Sequence, residues 1–126
     1  MSDMLNGSYE TFLSALEGKK CILFGAGGVA QSVIKDLSDK IIFSYVIDNN
    51  FWLWGNEFLS YTVYPPNALL QEDPENVIVL VAISDIFAAQ EQLEDLGIKH
   101  VFHYPLFFEH LQKTYKTIRI RFIFNN

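Results

Sequence analysis

The sequence of 126 residues contains one cysteine, four prolines and only nine basic side chains against fifteen acidic ones. A lone cysteine, Cys21, excludes an internal disulfide framework, and inside its apolar run it is expected to act as a small buried hydrophobe. The shortage of lysine and arginine leaves a net charge of −6. Such a chain repels polyanions at long range, so neither nucleic acid nor an anionic membrane surface is an expected partner. No apolar stretch approaches the ~18 residues of a membrane span; the longest clean run is Val77 to Ile83. The opening residues, MSDMLNGSYE, lack the basic and apolar regions of a signal peptide, and a cytoplasmic location is the expectation.

Reaction-bearing motifs are also missing. No tyrosine has a lysine four residues on, as a short-chain dehydrogenase requires, and there is neither a G-x-x-x-x-G-K-[ST] loop nor a G-x-S-x-G elbow. Cys21 lies in mid-strand and is no plausible nucleophile. His100 and His103, three apart on a strand, point to opposite faces and have no convincing third ligand, so no metal site is expected. His103, near a strand end, is one candidate for a base lining a pocket; a surface or partly buried position is the simpler expectation. No catalytic residue is assigned, and a binding module without autonomous catalysis is expected.

What the chain does have is apolar substance: half of its residues are hydrophobic and 15% are aromatic, ample for one core. Tyr9 to Leu16 carries Phe12, Leu13 and Leu16 at helical spacing before a stop at Gly18. Cys21 to Phe24 reads as a strand buried on both faces, and Val29, Val33 and Leu37 then recur with helical period. A second strand is expected over Ile42 to Ile47, an irregular aromatic stretch over Phe51 to Tyr61, and a short third strand at Thr62 to Tyr64. Pro66 to Leu70 starts a short helix, and Val77 to Ile83 is the clearest strand of all. Ser84 or Asp85 caps a helix that runs to about Leu96 and stops at Gly97. A fifth strand follows at Val101 and Phe102, then a last helix over Leu106 to Tyr115.

Strands alternating with helices imply βαβ units, hence an α/β fold of three layers with a parallel sheet of about five strands in a single domain. That domain spans residues 1–116. In the tail, Thr117 to Asn126, Ile118, Ile120, Phe122 and Phe124 alternate with Arg119 and Arg121. An edge strand, a subunit contact and the stump of a further domain all suit that pattern.

The residues between the first strand and its helix, Gly25-Ala26-Gly27-Gly28-Val29-Ala30, read G-x-G-x-x-A. Gly25 permits a tight turn, Gly27 lets a phosphate approach the backbone, and Ala30 lets the helix lie close on the strand. The helix start offers free N–H groups and the positive end of its dipole to an anion. Asp48, twenty residues beyond Gly28 and at the end of the second strand, stands where an acid accepts hydrogen bonds from a ribose, with Asn49 beside it. Ser84 and Asp85, after the strongest strand, are expected at the same mouth. The plainer alternatives are a tight βα turn, an Asp-Asn-Asn turn and a helix cap. Trp52 and Trp54, with Phe51, Phe58 and Tyr61, are expected to pack in the core or a lid; stacking on a base or covering a subunit contact is the alternative.

The strings ILFGAGGVAQSVIKDL, YVIDNN, VYPP, VIVLVAIS and QLEDLGI together resemble a Rossmann-like module, the N-terminal nucleotide-sugar-binding domain of bacterial sugar acyltransferases, over Lys19 to Tyr104. The resemblance implies a nucleotide-sugar ligand held by Gly25, Ala26, Gly27, Gly28, Asp48 and Asn49, and a role in cell-surface carbohydrate synthesis. Two departures stand out: Asn49 replaces a frequent second acid, and the acyltransferases' catalytic β-helix is absent. NAD is the second ligand expectation, although a full two-half dinucleotide fold needs more strands than this chain supplies. A sugar-modifying enzyme subunit with a partner catalytic domain, a homo-oligomer, and an interaction protein with a vestigial site remain as alternatives.

Overall fold

The structure, a computed structural model, describes residues 9–107. The elements are α1 (Tyr9–Ala15), β1 (Lys20–Phe24), α2 (Gly28–Leu37), β2 (Val46–Ile47), β3 (Glu57–Phe58), β4 (Tyr61–Tyr64), β5 (Val77–Val81), α3 (Ile86–Asp95) and β6 (Val101–His103). Two 3₁₀ turns, Phe51–Leu53 and Pro66–Gln71, complete them. The last expected helix, Leu106 to Tyr115, falls almost wholly outside the described residues, and the 117–126 tail falls entirely outside them.

Central strands hold the domain together because their side chains serve two cores at once. In β5 all five residues, Val-Ile-Val-Leu-Val, are buried. Alternation sends Ile78 and Leu80 to one face and Val77, Val79 and Val81 to the other. β1 divides likewise, Cys21 and Leu23 joining the first core and Ile22 and Phe24 the second. The first core is covered by Phe12 of α1 and by Ala30, Val33 and Leu37 of α2. The second is covered by Ala89 and Leu93 of α3 and by Leu69 of the second 3₁₀ turn. Each fully buried aliphatic side chain contributes about 1.5–3 kcal/mol, so the continuous apolar runs of β1 and β5 make them the middle of the sheet. Three layers, helix–sheet–helix, result.

Strand order is β3-β4-β2-β1-β5-β6. All neighbours are parallel except β3, which pairs antiparallel with β4. The chain therefore steps outward from β1 through β2 to β4, then returns to β5 on the far side of β1. That reversal between β1 and β5 is the switch point at which open parallel sheets bind ligands, beyond the carboxyl ends of their strands.

Two local expectations are corrected. The second strand is shorter than expected: Ser44 N donates to Cys21 O at 2.9 Å and Leu23 N to Tyr45 O at 3.2 Å, but Ile42 is 85% exposed and only Val46–Ile47 count as strand. The sheet also has six strands, because the aromatic stretch holds β3. Its hairpin pairs Glu57 with Thr62 and Phe58 with Tyr61 across a two-residue turn, Leu59-Ser60, whose φ angles are +49° and +76°. Positive φ at both positions is the hairpin turn whose twist suits antiparallel strands. Glycine and asparagine are its usual residues, so this sequence hides it.

Candidate functional site

Three chain segments meet at the carboxyl edge of the sheet: the glycine loop after β1, Asp48 after β2 and Ala82–Asp85 after β5. The loop is shaped by its first glycine. Gly25 has φ +125°, and a Cβ there would lie 2.8 Å from the Ala82 carbonyl oxygen and 2.9 Å from Ile83 Cγ2. Gly25 N donates to Ile47 O at 2.8 Å and Ala82 N to Phe24 O at 2.8 Å, so β2 and β5 both clamp the turn. No other side chain fits at Gly25.

Gly27 and Gly28 have the opposite surroundings. A Cβ at either would meet nothing within 4 Å, and Gly27, with φ −118°, is in extended backbone open to any residue. Gly27 is the N-cap of α2 and brings no side-chain hydrogen bond to it. The first-turn amides of an α-helix have no partner within the helix, so α2 opens onto clear space with an uncapped, electropositive end. Ala30, fully buried, lets the helix lie against the sheet. Val29 is half-buried against the first core, its side chain serving packing rather than the mouth.

Asp48 is turned toward this loop. Its Oδ2 accepts from Ala26 N at 2.8 Å, and its Oδ1 accepts from Asn50 N at 2.8 Å. A carboxylate has about four lone-pair sites on its two oxygens, so two acceptor positions remain beside the mouth. Asn49 reaches the other way, exchanging two hydrogen bonds with Gln92 of α3 at 3.0 and 2.7 Å. Ser84 and Asp85 stand exposed after β5, next to the Ala82–Ile83 step that abuts Gly25. Asp85 caps α3, its Oδ1 accepting from Ala88 N at 3.1 Å, and Ser84 O accepts from Ile86 N at 3.0 Å.

The aromatic group divides. Phe58 and Tyr61 pack on the first core. Phe51, Trp52 and Trp54 do not: they are 59%, 74% and 40% exposed, contrary to the packing expected of them. The segment 51–54 is fastened to β4 at both ends, with Asp48 N bonded to Tyr64 O at 3.2 Å and Gly55 N to Val63 O at 2.8 Å, and of its residues Leu53 is the one that packs on the first core. Trp54 Nε1 donates to Asp48 O at 2.7 Å and ties the segment to the acid.

His103 is likewise not at the surface. It is 1% exposed, with Nε2 2.8 Å from Gln90 Oε1. Gln90 Nε2 donates to Glu94 Oε1 at 3.0 Å, which orients the amide with its oxygen toward the imidazole. Nε2 therefore carries the proton, and Nδ1 is a buried acceptor without a partner among the described residues. Burial pushes its pKa down from 6.5 to about 4. Cys21 is buried and pushed up to about 12 by loss of water, so at neutral pH it is an inert thiol. Among the described residues, no group of three His, Cys, Asp or Glu side chains is close enough to hold a metal, and no helix is long and apolar enough to cross a membrane.

Sequence reasoning missed Gln92 and the Ala82 carbonyl, and it named Trp54 without its bond to Asp48 O. Only Gln92 left a trace: it lies seven residues beyond the Asp85 cap, on the same face of α3 two turns on.

No protein-family model matches this chain, and no curated protein does. Solved structures do. A Rex-family repressor, RSP, is similar with a TM-score of 0.59 at 16% identity, over 92% of this chain and 67% of that one. The same repressor in complex with β-NADH is similar at 0.55 and 15%, over 93% of this chain and 69% of the other. Its complex with β-NAD+ and operator DNA is similar at 0.55 and 15%, over 93% and 66%. At this identity the likeness is one of fold, and the fold of this chain is Rossmann-like.

Proposed function

We propose that this domain binds a nicotinamide dinucleotide, NAD+ or NADH, by its pyrophosphate and one ribose. The observation that carries the reading is the pairing of an uncapped α2 start, exposed at Gly27 and Gly28 with room for a Cβ at each, with an Asp48 carboxylate that faces the loop and keeps acceptor positions free. The amides of Gly27 and Gly28 take the phosphate charge, and Asp48 accepts from ribose hydroxyls. The structural neighbours bound to NADH and NAD+ support this ligand over a nucleotide sugar. A role in cell-surface carbohydrate synthesis rests on the motif likeness alone. The net charge of −6 supports a small ligand rather than nucleic acid as the partner of this domain.

Recognition rather than turnover fits the side chains in place. Asp85 is engaged as a helix cap, and the buried His103 lies under Gln90. Calorimetric titration with NADH, NAD+ and a UDP-sugar tests the ligand, and Gly27→Val tests the place. A Cβ at Gly27 meets nothing within 4 Å in the free protein, and the valine side chain built on it would occupy the phosphate position. The variant is expected to stay folded, losing about 1 kcal/mol at the N-cap of α2, and to lose binding by at least tenfold. Preference for the UDP-sugar overturns the dinucleotide assignment, and undiminished binding by Gly27→Val overturns the site.

A further inference from the structure

We infer that the exposed pair Phe51 and Trp52 is a stacking platform for the base of the bound nucleotide, and that the domain accepts bases by their flat faces with little regard to their edges. The inference rests on the phosphate and ribose sites proposed above and adds the third part of the ligand.

Large exposed aromatics need a reason, since water-facing apolar surface concentrated in one place marks a binding site. Phe51 and Trp52 lie with ring centroids 4.7 Å apart, and Phe51 is 6.4 Å from the Trp54 ring. The segment is held rather than loose. Asn50 Oδ1 accepts from Trp52 N at 3.1 Å, Asn56 Nδ2 donates to Trp52 O at 3.1 Å, and Trp54 N donates to Phe51 O at 3.2 Å. Rigid aromatic side chains bind with little loss of conformational freedom.

The platform is anchored to the residue that would hold the ribose. The Trp54 indole touches the main chain of Asp48, 2.7 Å away, and Phe51 follows Asp48 by three residues. A base is joined directly to its ribose, so the surface beside the ribose acceptor receives it. On the opposite side, between the end of β2 and α3, Asn49 and Gln92 exchange both their amide hydrogen bonds and span that space. The pair holds the two amides to each other, using one N–H and one oxygen lone pair of each. The open aromatic side remains. Its recognition is broad because every base presents a π-face.

The test measures binding of ADP, GDP, UDP and inorganic pyrophosphate to the full chain and to Trp52→Ala. ADP and GDP are expected to bind within about threefold of each other, with UDP weaker because its face is smaller, and to quench indole fluorescence. Trp52→Ala should lose roughly tenfold or more for ADP while pyrophosphate binding is unchanged; Trp52→Phe should recover most of the loss. Unaltered ADP affinity in Trp52→Ala overturns the platform, as does a change of oligomeric state with ADP affinity intact, which would make the patch a contact between copies. Discrimination of a hundredfold between ADP and GDP overturns the base tolerance. Failure of the parent chain to bind both pyrophosphate and ADP would instead bring down the phosphate site, and this inference with it.

Discussion

At the scale of single residues, the glycine loop separates two jobs that a motif writes in one line. Gly25 is required by the fold: φ +125° and the Ala82 carbonyl leave no volume for a side chain. Gly25→Ala is expected to destabilise the domain by about 2 kcal/mol or more, read from urea unfolding. Gly27 leaves room for a Cβ in the free protein, so beyond a modest N-cap cost its substitution speaks to the ligand. His103 supplies a pH dependence of known sign. Its pKa is lowered in the folded state, so below about pH 6.5 the unfolded chain binds a proton that the folded chain refuses. Its contribution is fully present above pH 6.5 and is lost as pH falls toward 4, by about 3 kcal/mol at most. Urea midpoints for the parent and His103→Gln should converge in relative stability as pH falls through that window. Parallel curves at pH 7 and pH 4.5 would exclude His103 as the source.

At the scale of elements, legibility followed burial. β1 and β5 could be read because both their faces are covered, so apolar residues run on without interruption. α2 and α3 could be read from the spacing of Val33 with Leu37 and from the Asp85 cap. Gly25 and Asp48 were legible because a turn and an acid at that spacing have a physical reason. Asn49–Gln92 was not, since the pair is 43 residues apart in sequence and only packing brings it together. The exposure of Phe51 and Trp52 was misjudged for a related reason: composition says that a residue is apolar, not whether a layer exists above it. β3 stayed hidden because Leu59-Ser60 carries none of the residues its turn prefers. That mismatch predicts that replacing Leu59-Ser60 with Asn-Gly stabilises the domain by about 1 kcal/mol, seen as a raised denaturant midpoint with unchanged slope. A fall in the midpoint would mean that Leu59 packs more than its exposure suggests.

At the scale of the molecule, the sheet order explains why residues from three distant segments share one edge. The reversal from β4 back to β5 places the end of β5 beside the end of β1, and the Ala82–Ile83 contact on Gly25 is its direct result. Ligand and fold are then thermodynamically linked, because the site exists only when all three segments are in register. NADH at a hundred times its dissociation constant should raise unfolding free energy by about 2.7 kcal/mol, detected as a ligand-dependent melting temperature. The Gly27→Val protein should melt at one temperature with or without NADH.

The bond from Ala26 to the Asp48 carboxylate has a kinetic meaning as well. It holds the loop in its receptive shape before any guest arrives, so the cost of ordering that backbone is already met by folding. Rapid-mixing traces of NADH with this domain should accordingly show a single exponential whose rate climbs in proportion to concentration, without the plateau that a slow rearrangement imposes. Asp48→Asn weakens that tether, and a plateau should emerge in its traces.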